Sequence, residues 1–135
     1  MALDIQQADK EGIAVLELNG RITVGPEATA LREKVAALSE AGSRNIVLEM
    51  TGVDYVDSTG LGALVLCAIS LKKQGGNMKL VNLNRRNIEL LVMTKLATVF
   101  ETFTDVQDAV NSFYPDRKIK PFDILEFVQK MRQEE

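Results

Sequence analysis

With 135 residues, no histidine and a single cysteine, the chain suits one domain built on one core and leaves few routes to catalysis. A hydrophobic fraction of 46% and a charged fraction of 26% exclude disorder, and a net charge of −3 argues against a partner that must be neutralised along its phosphates. Without histidine the commonest general base, the usual serine-triad partner and most zinc sites are lost.

The chain order predicts alternating strands and helices. Residues 2–8 suit a short edge strand with Leu3 and Ile5 on one face, and IAVLELNG (13–20) suits a stronger one ended by Gly20. Ala14, Leu16 and Leu18 share one side of that strand. The other side carries Ile13 and Val15 but then Glu17, which predicts cover at its start and water at its end. A helix is predicted over 26–41, with Pro26 in its first turn, Ala28, Leu31, Val35 and Leu38 on one face, and Gly42 as its stop. NIVLEM (45–50) is a β-rich strand leading into VDYVDSTGLG (53–62).

A helix over 59–73 follows, ending in KKQGG with cations in the last turn and glycine beyond. Its apolar run Leu61–Ile69 is far shorter than the ~20 residues of a membrane span and is expected to lie between the sheet and another element, the alternative being exposure of Leu61 and Leu64 to a partner. Cys67, inside that run, suits core packing. MKLVNL (78–83) and VFETF (99–103) suit strands, and RRNIELLVMTK (85–95) a helix with Ile88, Leu91 and Val92 inward. Thr104 to Gln107 has the spacing of a capping box opening a helix with Val106, Ala109, Val110 and Phe113 inward. This alternation predicts an α/β domain with a mixed sheet of four or five strands.

The stretch around Ser58 admits several chemistries. In the simplest, Ser58 caps the helix that starts near Thr59. That leaves unexplained the two acids Asp54 and Asp57, and glycines in the first helical turns, where each costs about 1 kcal/mol. A nucleophile elbow needs glycine two residues before the serine, where Val56 stands, and no phosphate-cradling GxxxxGK[ST] string occurs. Asp54 and Asp57 lack a third acidic neighbour for a metal, so no metal and no cofactor is predicted. A regulatory account stands beside the helix cap and uses the same geometry differently: a phosphorylated serine. A phosphoryl group would add about −1.5 to −2 charges at a helix N-terminus beside two carboxylates. A partner docked there would feel roughly a hundredfold change in affinity.

VDYVDSTGLGAL (53–64) resembles the signature of the STAS domain family, the bacterial anti-sigma factor antagonists, and GIAVLELNGRIT (12–23) resembles that family's second strand and turn. The similarity runs over about residues 3–113. It implies that Ser58 is phosphorylated by an anti-sigma serine/threonine kinase, that the unphosphorylated chain binds this kinase and releases its sigma factor, and that a PP2C-type phosphatase reverses the switch. The chain is then no enzyme but a substrate and a competitive binder. Asp54, Asp57, Thr59, Gly60, Leu61 and Gly62, with Arg21 and Thr23 of the GRITVG turn, are the implied partner contacts. Thr23 departs from the pattern, since many members carry aspartate there. Two alternatives stand beside this: a partner-switching module with an output other than a sigma factor, and an unphosphorylated module that senses a nucleotide or lipid.

The sequence divides at 113. Beyond the STAS-like domain (1–113), the extension 114–135 offers a connector, YPDRKIKP, with Pro115 and Pro121 resisting helix, and then a helix. Asp123 suits its cap, and Ile124, Phe127, Val128 and Met131 form one apolar stripe. That stripe is expected to pack on its own domain, or else to dock a second copy, in a homodimer, or another protein. MALDIQQADK lacks a signal-peptide pattern, no basic cluster seeks lipid, and a cytoplasmic location without membrane or nucleic-acid partners is predicted.

Overall fold

The computed structural model describes residues 3–119 and 122–134. Strands β1 (Leu3–Lys10) and β2 (Ile13–Ile22) form an antiparallel hairpin. Its two-residue turn has positive φ at both Glu11 (54°) and Gly12 (86°), the twist that suits tight hairpins. Helix α1 (Pro26–Glu40) returns the chain to β3 (Asn45–Val56), which lies parallel to β2. Helix α2 (Ser58–Lys73) leads to β4 (Asn77–Val81), and α3 (Arg85–Met93) to β5 (Glu101–Phe103). Helices α4 (Val106–Asn111) and α5 (Ile124–Glu134) end the described chain. The five strands lie in the order β1-β2-β3-β4-β5, a mixed α/β sheet.

Strand alternation divides the core in two. Ala14, Leu16 and Leu18, Ile46, Leu48 and Met50, and Met78 and Leu80 face α1, α2, α3 and α5 in the main cluster. On the reverse face Ile13, Val15, Val47, Val81 and Phe103 meet Ala109 and Val110 of α4. Glu17 on that face is exposed, as its place in the pattern predicts. Lys79 also points to the reverse face. It is buried, with Nζ 2.8 Å from Glu101 Oε2 and donating to Ser112 Oγ at 2.8 Å.

Several boundaries differ from the sequence expectation, each through a contact distant in the chain. Gly20 does not end β2. The strand runs on to Ile22 through irregular register, and Gly20 takes φ 123° there, a value that favours glycine. Strand β3 does not stop at Met50 but continues to Val56, because β2 continues beside it. Strand β4 stops at Val81, where Asn82 turns to φ 59°, and α3 stops at Met93 before Lys95 at φ 62°. Only Glu101–Phe103 of VFETF pairs as strand. The cap of α4 is Asp105, accepting from Asp108 N–H, and not Thr104. Gln107 closes no capping box: its Nε2 donates to Glu11 Oε2 and Asn111 Oδ1, both at 2.8 Å.

The run Leu61–Ile69 is covered on one side only. Leu61, Ala63, Leu64 and Cys67 are buried, which overturns the alternative of exposed Leu61 and Leu64, while Leu66 (53% exposed) and Ile69 (46%) face outward. The extension helix packs on its own domain. Asp123 Oδ1 accepts from the N–H groups of Leu125 and Glu126 at 3.0 and 3.1 Å, and Ile124 and Val128 are buried in the main core beside Ile88 and Leu91. The stripe proposed for a homodimer is therefore occupied within the chain. Pro121, predicted to resist helix in the connector, lies outside the described residues.

Burial pushes the Cys67 thiol up to about 11. The thiolate is the nucleophile, so alkylation by iodoacetamide at mildly alkaline pH is expected to be negligible in the native chain and complete in denaturant, measured by mass spectrometry.

Candidate functional site at the start of helix α2

Strand β3 delivers its last residue, Val56, to a turn of a single residue, Asp57, after which α2 begins at Ser58. The cap is Asp57 and not Ser58. Asp57 has extended backbone, and its Oδ1 accepts the Gly60 N–H at 2.7 Å, satisfying one of the free donors of the first turn. Its second oxygen, Oδ2, accepts the Val24 N–H at 2.9 Å, from the loop between β2 and α1. The backbone of Asp57 joins in, its N–H donating to Ile22 O at 3.2 Å. One residue thus ties the start of α2 to the end of β2 and to the loop that follows.

Those amides hold the Asp57 carboxyl below the ordinary carboxylate range, Gly60 first, then Val24 and Thr59. A lowered pKa makes the stabilisation complete above the unfolded value and removes it as pH falls through the folded value. Wild type is therefore expected to melt above Asp57→Ala at neutral pH, with the gap closing in acid, measured by thermal melts across pH.

With Asp57 as the cap, the Ser58 side chain stands exposed at the first position of α2, beside the exposed Thr59. The other implied contacts fall into two groups. Asp54, Gly62 and Arg21 are exposed and Thr23 is half-buried, so these four are accessible, as Ser58 and Thr59 are. Gly60 and Leu61 point into the domain, Leu61 at 6% exposure. Asp54 and Asp57 do not form the matched acidic pair their spacing suggested, because Asp57 is turned onto backbone amides. Among the described residues no group of three His, Cys, Asp or Glu side chains can hold a metal.

Three residues at this corner escaped the sequence reading. Val24 is 66% exposed in the loop tied to Asp57. Tyr55 is 40% exposed, with the Arg86 guanidinium 5.6 Å from its ring centre. An aromatic residue inside the VDYVDS string was the one local signal for Tyr55; nothing local marks Val24 or Arg86.

The apolar space between the sheet, α2 and α3, lined by Met50, Leu61, Leu64, Leu83 and Leu90 among others, has a volume of about 10 Å³. That is room for about one water, so no lipid or nucleotide fits there. No helix among the described residues is long and apolar enough to cross a membrane.

Comparison with known proteins agrees with this geometry. The STAS domain family matches residues 4–109. The anti-sigma-B factor antagonist of Bacillus subtilis is 36% identical over 101 residues, covering 75% of this chain and 91% of that protein. The crystal structure of an anti-sigma factor antagonist from Mycobacterium paratuberculosis superposes with a TM-score of 0.70 at 21% identity, over 82% of this chain and 92% of that one. The Bacillus protein SpoIIAA, solved in its phosphorylated form, gives a TM-score of 0.64 at 16% identity, over 82% of this chain and 99% of its own. An exposed serine on a capped strand-to-helix turn, the five-stranded mixed sheet and these similarities agree: the chain belongs to the STAS domain family, among relatives named as anti-sigma factor antagonists.

Proposed function

We propose that this chain is an anti-sigma factor antagonist switched by phosphorylation of Ser58. Unphosphorylated, it binds an anti-sigma serine/threonine kinase and displaces the sigma factor; phosphorylated, it lets go, and a PP2C-type phosphatase resets it. On this reading the chain is a substrate and a competitive binder rather than a catalyst, and it works in the cytoplasm.

The observation that carries the proposal is the division of labour at the turn: Asp57 supplies the cap, which leaves Ser58 exposed at the helix start. A residue needed only for capping would be spent on the amides. The N-terminus of α2 also favours an added phosphate, through the partial positive charge of its first turn. The fold need not change for the partner to release, since the added charge alone alters the docking surface. Phosphosite mapping on the chain isolated from its native host tests this. One phosphoryl group on Ser58 in part of the population is expected, and its absence under every growth and stress condition would overturn the switch.

A further inference from the structure

Strand β4 parts from β3 after the Glu49–Val81 pair, so Met50 to Val56 keep only β2 as a strand neighbour among the described residues, and the β2 side is irregular there. This is the stretch that delivers Ser58. Its open edge is held instead by two side chains at the start of α3. Asn84 Nδ2 donates to the carbonyls of Val53 and Asp54 at 3.1 and 3.2 Å, and Asn87 Nδ2 donates to the Val53 carbonyl at 3.3 Å. The same Asn84 caps α3, its Oδ1 accepting the Asn87 N–H at 2.8 Å.

Asn87 is 3% exposed, and its Oδ1 meets no hydrogen-bond donor among the described residues. A buried amide oxygen left without a donor destabilises the native state, and an apolar side chain would remove that cost. Helix packing therefore does not explain an asparagine at this position, whereas its donation to β3 does. We infer that Asn84 and Asn87 are positioning residues for the Ser58 switch: they replace the missing strand beside the end of β3 and hold the turn at the place where a kinase must find the hydroxyl. The role in the switch rests on the function proposed above; the clamp itself does not.

Two variants of the full chain separate positioning from packing. Asn87→Val removes the donor and the unpaired oxygen together. Asn84→Asp keeps the cap acceptor and loses the donor. Three quantities are measured: melting temperature, backbone hydrogen exchange along the chain, and phosphate uptake at Ser58 in host extract supplied with ATP. For Asn87→Val a melting temperature at or above wild type is expected, with exchange over residues 54–60 faster by about tenfold while the rest of the sheet is unchanged. Phosphate uptake at Ser58 is expected to slow several-fold in both variants. Wild-type exchange over 54–60 in both variants overturns the clamp, as does a uniform rise across the whole domain. Unchanged uptake with locally faster exchange overturns the positioning role. If wild type takes up no phosphate at all, the proposed function fails, and the exchange measurement alone decides the clamp.

Discussion

Gly60→Ala is expected to destabilise the domain by about 3 kcal/mol, the cost of overpacking a site that cannot relax. A Cβ at Gly60 would lie 1.8 Å from the Ile22 carbonyl oxygen and 2.6 Å from its carbon. Both atoms are backbone at the end of a buried strand, so no rotamer change relieves the clash. To make room, α2 must lift from β2. That movement would also strain the Asp57 bonds to Gly60 and Val24, which span the same junction. The greater helix propensity of alanine returns only about 1 kcal/mol. At a few degrees per kcal/mol for a chain of this size, the melting temperature should fall by roughly 10 °C.

The second glycine of the motif makes the control. Nothing lies within 4 Å of a Cβ placed on Gly62. Gly62→Ala should raise stability by about 0.5–1 kcal/mol, because only the propensity term remains. Opposite signs from two glycines only two residues apart, on opposite sides of the helix, would establish that close approach to β2, and not flexibility, requires glycine at position 60. A wild-type melt for Gly60→Ala would count against the junction described here.

On the proposed function, Ser58→Asp is expected to weaken binding to an anti-sigma kinase by one to two orders of magnitude, whereas Ser58→Ala is expected to bind it and to escape the switch. The new carboxylate would stand one residue from Asp57, whose pKa is already lowered by backbone amides. Asp57 therefore stays ionised and cannot relieve the repulsion by taking a proton at neutral pH. The fold itself should tolerate the change, since an acidic residue in the first turn suits the helix dipole. Melting curves should accordingly match for both variants while titration calorimetry with the kinase separates them. Equal affinities at equal stability would mean that charge at position 58 does not control the partner.

Much of this architecture is legible in the sequence. The alternation of Ala14, Leu16 and Leu18 against Ile13, Val15 and Glu17 reports both faces of β2, including the open end. The stripes of α1 and α5 are equally plain, and the VDYVDSTGLGAL signature points to the family. These features are local: side-chain period follows backbone geometry over a few residues, so a short window suffices.

What the tertiary structure alone decided lies at the junctions. The cap of α2 passes from Ser58 to Asp57 because Asp57 can reach Val24, 33 residues away, as well as Gly60. Gly60 is tied to its residue type by Ile22, and the end of β3 by Asn84 and Asn87 of α3. The exposed side of α2, Leu66 and Ile69, and the docking of α5 on α3 likewise depend on where neighbouring elements stop. Periodicity tells each segment what it is, but the free energy of a cap, a close approach or a buried amide depends on which distant backbone meets it, and only the assembled sheet brings those atoms together.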